Sequence, residues 1–424
     1  MCGWLAKFSC VICLFSIGTA IVPESVMAGT DLQVIPEMGP YIDIWDDADN
    51  NTNPVVAYNP HHDEYLVVWT TMQDQFSTDI WGRRLRGDGS PVPNGWFNID
   101  NEAGKNLINP AVTYNSQTDQ YLVVYNIDLA VDNMDIWGKI VNWNGVLSSR
   151  LYLDTSPQKQ MDPAVVYNPL ENQYLLGYSD WQSLSTVNLK LQTLNQFGGA
   201  VNSASVVSPT NEFRGTPALA HITVDNHYLV IYGYEGSFIP RILGKSFSTT
   251  LGSLSPEYNY TDDGSGGMNP KIGCSQQDCL VTWNGLSGAG IKGRHIAHDG
   301  SSLGPSGGFE IATPVQNIIH TASAVSVFQP WGYLITWDQF LSTSADQGDI
   351  YGSTIRFEEN HPSGDGFPID NRLYNEGLSS LACNLTGKCL LVNNHNPVQY
   401  PAGDLGISGR LIFSNQNFIP LIIN

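Results

Sequence analysis

The chain repeats itself, and the period constrains its fold more than any other feature. Pro54, Pro110, Pro163, Pro217 and Pro270 are separated by 56, 53, 54 and 53 residues. The first three open the words PVVAYN, PAVTYN and PAVVYN. A second run follows each: YLVVW at 65, YLVVY at 121, YLLGY at 174, YLVIY at 228, CLVTW at 279, YLITW at 333 and CLLVN at 389. A third reads Ile-x-Gly-basic at 80, 136, 242, 291 and 407; IYGS at 350 lacks the charge and VNLK at 187 lacks the glycine. FNID at 97, LYLD at 151, FEIA at 309 and FPID at 367 close most units, and seven units can be counted.

Each run is short, β-branched or aromatic, and bounded by Asn, Asp, Gly or Pro, which are strand and turn signals. No stretch sustains a helical period of apolar residues. Four strands recurring in seven copies predict an all-β fold, a seven-bladed β-propeller of four-stranded antiparallel blades. A β-solenoid, the rival, uses a much shorter repeat. A motif present in most units is a brick and not an active site. Gly82, Gly138, Gly244, Gly293, Gly352 and Gly409 are expected where a neighbouring blade's bulky side chain comes close. Asp79, Asp135 and Asp349 are expected to cap turns.

Residues 1–28 read as a signal peptide: one lysine, the apolar run FSCVICLFSIGTAIV, then small residues before Ala28. Residues 29–52 are expected to form an N-terminal arm and 53–424 the propeller. Without Lys7 and Glu24 of the leader, 18 basic face 39 acidic residues, so the net charge stays at −21. That excludes nucleic acid as a partner and argues against a highly sulfated or uronic-acid polymer. No later stretch is apolar enough to span a membrane.

Four cysteines follow the leader. Cys274 and Cys279, like Cys383 and Cys389, bracket the turn between first and second strands of one unit. Hairpin geometry favours pairing within each bracket, as disulfides of an oxidising, extracellular or periplasmic compartment. Sequons stand at Asn50, Asn259 and Asn384.

The combination NPAVTYN…YLVVY…DIWGK resembles a class of secreted bacterial β-propeller repeats with the pattern P-x-V-x-Y-N … Y-L-V-V-W … D-I-Y-G. The likeness spans the chain after the leader. It implies a propeller in an extracellular setting and carries no shared activity. Sialidase-type Asp boxes, WD and kelch signatures are missing.

Function is therefore sought in residues that break the repeat or lie in the loops of one face, those between second and third strands and between units. The candidate ligand-binding residues are Asp74, Phe76, Asp128, Asp132, Asp180, Trp181, Asp338 and Phe340, acids interleaved with aromatics suited to a sugar. His221 joins them because it replaces the tyrosine of YN on a strand expected to line the axis. Asp47, Asp49 and Asn51 alternate as in the first half of a calcium loop, without its glycine and glutamate; calcium is the only cofactor indicated. YIDI at 41–44 and FIPLIIN at 418–424 both read as fourth strands. One closes the ring, and the arm is then a candidate for pairing with a second copy. The leading expectation is non-catalytic recognition of a glycan or protein at the cell surface. The alternatives are a polysaccharide lyase or glycoside hydrolase, and a self-assembling extracellular component.

Overall fold

The computed structural model describes residues 35–46, 49–74, 77–130, 132–183, 185–208, 212–236, 238–286, 290–315, 318–341, 348–357, 359–362, 366–372, 376–396 and 405–414. Its elements are strands. The first is β1 (Glu37–Trp45). Blade 1 comprises β2 (Asn50–Asn59), β3 (Glu64–Asp74), β4 (Ser77–Arg86) and β5 (Pro91–Asp100). Blade 2 comprises β6 (Asn106–Asn115), β7 (Gln120–Ala130), β8 (Asn133–Asn142) and β9 (Leu151–Asp154). Blade 3 comprises β10 (Lys159–Asn168), β11 (Gln173–Trp181), β12 (Val187–Asn195) and β13 (Ser205–Val206). Blade 4 comprises β14 (Arg214–Ile222), β15 (His227–Tyr234), β16 (Arg241–Ser248) and β17 (Tyr258–Asn259).

Blade 5 runs through β18 (Met268–Cys274), β19 (Cys279–Asn284), β20 (Ile291–Ile296) and β21 (Phe309–Ala312). Blade 6 runs through β22 (Ile318–Phe328), β23 (Gly332–Leu341), β24 (Gly348–Arg356) and β25 (Phe367–Asp370). Blade 7 holds β26 (Glu376–Cys383), β27 (Lys388–His395) and β28 (Gly406–Phe413). Within each blade, antiparallel strands pair in chain order, and one parallel pair, Thr78 with Asn106, links blades 1 and 2. The chain is a seven-bladed β-propeller.

Blade 7 takes its fourth strand from the other end of the sequence. On β1, Tyr41 pairs with Arg410, Ile42 with Gly409, Asp43 with Ser408 and Trp45 with Ile407. Pairing of the arm with a second copy is thereby overturned, because these backbone groups are hydrogen-bonded inside their own ring. The run 418–424 and the leader 1–28 lie outside the described residues.

Burial is organised by seam. Seven apolar clusters each span two adjacent blades, and none occupies a common centre. Trp69 and Tyr65 of blade 1, for instance, are buried with Leu390 and Val392 of blade 7. A chain too long for one core thus builds seven small ones. The bricks serve these seams. Asn115 accepts from the N–H groups of Gln117 and Thr118, and donates to Asn172 and Tyr174 of the next blade. Asn168 does the same with Leu170, Glu171, Asn226 and Tyr228. The basic residue of the third strand reaches back to the preceding blade: Lys139 pairs with Asp100 at 3.1 Å and Lys190 with Asp154 at 3.5 Å.

Two expectations are corrected. A Cβ at Gly82, Gly293 or Gly352 would stand 2.9, 2.7 or 2.6 Å from Cδ1 of Ile99, Ile311 or Ile369. The intruding side chain belongs to the blade's own fourth strand, not to a neighbour. Asp79 and Asp135 stand inside the β4 and β8 ladders, buried, where desolvation pushes their carboxyls up; they cap no turn. The disulfides Cys274–Cys279 and Cys383–Cys389 are both present.

Candidate functional site

Every inner strand slips register once, at the end where the loops between units arrive. The slips fall between Thr52 and Val55, Ile108 and Ala111, Met161 and Ala164, and Gly215 and Ala218. They recur between Met268 and Lys271, Ala322 and Ala324, and Gly377 and Ser380. Inside them the backbone turns left-handed: φ is 53° at Asn53 and Asn109, 54° at Asp162 and Asn269, 50° at Thr216 and 51° at Leu378. Asn and Asp tolerate this conformation, whereas a branched or bulky residue there costs about 1–2 kcal/mol. Thr216 and Leu378 are held in place by their neighbours. The Thr216 N–H donates to Ser179 Oγ at 3.1 Å, and the Leu378 N–H to Asp338 Oδ2 at 2.9 Å. Such pinned strain is characteristic of functional sites.

These turns surround an axial funnel of about 670 Å³ that takes wall residues from all seven blades. Pro54, Pro110, Pro163, Pro217 and Pro270, with Phe340 and Leu378, give it apolar faces. Asn53, Asn109, Asn269, Thr321 and Ser379 give it neutral polar groups. Asn53 Nδ2 donates to Asn109 Oδ1 at 3.1 Å across the seam between blades 1 and 2.

Three charged residues also line it: Asp162, Lys271 and Asp338. Each breaks a repeat column. Asp162 stands where other blades have Asn53, Asn109 and Asn269, and Lys271 where they have Val55, Ala111, Ala164 and Ala218. Burial pushes the Asp162 carboxyl up, while the Ser179 hydroxyl, which donates to Oδ2 at 3.2 Å, and the Lys271 ammonium pull it back in part. Lys271 is exposed to the funnel; the protein around it still pulls its ammonium down, and Asp162 only partly offsets this. Asp338 is buried, and its Oδ2 also accepts from the Thr321 hydroxyl at 3.4 Å. The arrangement offers carboxylate and amide acceptors for hydroxyls, one ammonium for an anion, and rings for an apolar face.

Of the residues singled out from sequence, Asp338 and Phe340 reach the funnel. Asp180 is buried and ion-paired with Lys190 at 3.0 Å, which commits it inside its own blade. Trp181 meets Phe213 edge-on at 5.5 Å. Asp74, Asp128 and Asp132 lie on the rim, outside the wall, and Phe76 falls outside the described residues. His221 sits at the other end of its strand from Thr216. There it bonds Asn226 and borders a second opening of about 540 Å³ with Cys274, His298 and Leu385. The calcium candidate is not supported at Asn51. That side chain is buried, its Oδ1 accepting from Trp69 and Thr71 and its Nδ2 donating to the Asp49 and Leu405 carbonyls. Asp47 lies outside the described residues, and no group of three His, Cys, Asp or Glu among them is placed to hold a metal.

Asp162 and Lys271 escaped the reading of the sequence, although the signal is present. Stacking the words NPVV, NPAV, DPAV, TPAL and NPKI exposes one aspartate and one lysine in otherwise neutral columns.

No helix among the described residues is long and apolar enough to cross a membrane. No protein-family model and no curated protein matches the sequence. Among solved structures, a protein of unknown function from Dyadobacter fermentans aligns over 89% of this chain and 99% of its own, with 9% identity and a TM-score of 0.53. The α-L-arabinanase of Penicillium chrysogenum aligns over 90% and 99%, with 12% identity and a TM-score of 0.48. The GH93 α-L-arabinofuranosidase of Fusarium graminearum aligns over 89% and 98%, with 11% identity and a TM-score of 0.49. At such identity the likeness is one of fold: the chain shares its architecture with the Dyadobacter fermentans protein.

Proposed function

We propose that this protein is a secreted propeller that binds a saccharide in the axial funnel. The observation that carries this reading is the meeting of Asp162, Lys271 and Asp338 with a ring of prolines and amides at one mouth of the axis. A sugar has hydroxyl edges and an apolar C–H face. Carboxylate and amide oxygens take the first, and Pro and Phe rings pack against the second. Secretion is supported by the leader-like residues 1–28, by the two disulfides and by the repeat pattern of secreted bacterial propellers.

A second reading has one observation in its favour. Asp162, raised by burial, shares the funnel with a second carboxyl and an amine, the ingredients of general acid–base chemistry on a glycan. One experiment tests both. Residues 29–424 are applied to a glycan array, and bound glycans are then incubated with the protein and analysed for fragments. Retention that is lost in Asp162→Leu supports the binding site. Fragment release moves the reading to a glycan-cleaving enzyme, and a blank array refutes both.

A further inference from the structure

Resting on the reading of the funnel as a sugar site, we propose that its ligand carries a single carboxylate, at a chain end, which pairs with Lys271. The lysine is out of place by every local measure. Its column in the inner strands is otherwise Val55, Ala111, Ala164, Ala218, Ala324 and Ser380. Lys139 has Asp100, Lys190 has Asp154 and Asp180, and Lys388 has Asp63, while Lys159 and Lys245 lie near the rings of Trp181 and Phe247. Lys271 makes no hydrogen bond or ion pair with any described residue; Asp162 acts on it only at a distance.

An exposed ammonium on the funnel wall without a protein partner is free to take an arriving anion in a charge-assisted contact. The binding energy available is then differential: a carboxylate gains at Lys271 what a neutral sugar cannot. The number of charges limits the ligand to one. A single ammonium shares the funnel with Asp162 and Asp338, so a second negative group would face a carboxylate. A polyuronate would also have to approach a chain of net charge −21. Asp162 and the amides remain as acceptors for the sugar's hydroxyls.

The test uses an array carrying three sets: glycans ending in one uronic acid, their neutral counterparts, and polyuronates. Wild type is compared with Lys271→Met and Lys271→Arg. Wild type should retain the singly acidic glycans about tenfold or more over the neutral ones, the size of one charge-assisted contact. Lys271→Met should lose that preference while unfolding at about the same temperature, since the side chain is exposed and bonds no described residue. Lys271→Arg should keep it. Equal retention of neutral and acidic glycans, unchanged in Lys271→Met, overturns this proposal and leaves the sugar site standing. Preference for polyuronates also overturns it. No retention of any set overturns the sugar site itself.

Discussion

Ile44 covers Gly409. A Cβ on that glycine would lie 3.0 Å from Ile44 Cδ1, and Ile44 has no exposed surface. The same knob and hole join Ile99 to Gly82, Ile311 to Gly293 and Ile369 to Gly352. In those blades the two strands are near in sequence. Here they come from opposite ends of the propeller, so this contact holds the ring shut. Ile44→Ala should cost about 2–4 kcal/mol, the usual range for emptying a buried aliphatic site. Denaturant unfolding measures it, and a loss below about 1 kcal/mol would show that the ring is closed by backbone pairing alone.

Glu376, on the innermost strand of blade 7, is 2% exposed, and its Oε2 has no partner. Burial, reinforced by Asp370, pushes its carboxyl up to about 9 from an ordinary 4.5, with Arg372 pulling partly back. The folded protein therefore keeps a proton that the unfolded chain releases between those two values. Stability should fall as pH rises across that window. Glu376→Gln should unfold at a higher temperature than wild type at pH 8 and show little gain near pH 4.5, as differential scanning calorimetry can read. A lower unfolding temperature at pH 8 would contradict the assignment.

The cystines replace an aromatic brick. Tyr58 and Tyr65 face each other across blade 1 with ring centroids 5.0 Å apart, and Tyr114 with Tyr121 do so at 5.1 Å. Cys274–Cys279 and Cys383–Cys389 occupy the corresponding cross-strand positions of blades 5 and 7. Each closes a short loop, so reduction should cost about 2 kcal/mol per bond by loop entropy. Replacing both cysteines of one pair with tyrosine should recover more stability than replacing them with serine. Unfolding of both variants in denaturant decides it, and equal loss would show that the aromatic contact contributes nothing there.

The bricks were legible from sequence because they repeat, and what repeats is backbone geometry: strand, turn, strand, glycine, strand. Less legible was which blade a brick touches. Gly82 could be read as a place of close approach, but Ile99 and a neighbouring blade's side chains are equally apolar in sequence. The candidate site was half visible. Asp338 and Phe340 stand out because the word DQF departs from the other units, although both lie on β23 and not in a loop; Asp180, alike in sequence, is held inside its own blade. Its partner Lys190 sits in the degenerate word VNLK, where the clasp to the previous blade is disguised by a missing glycine. Asp162 and Lys271 were hidden for the opposite reason. They occupy brick positions, and the left-handed residues at Asp162 and Asn269, not a loop, bring them to the funnel.

The most direct test of the account plugs one mouth of the axis at a time. Thr321→Trp fills the funnel beside Asp338, and His221→Trp fills the opposite opening. Both variants and wild type, matched for unfolding temperature, are titrated with the glycan that wild type retains. The account predicts that Thr321→Trp abolishes binding and that His221→Trp leaves the affinity within about twofold. Loss of binding in His221→Trp with full binding in Thr321→Trp would place the site at the wrong end of the propeller and contradict the account.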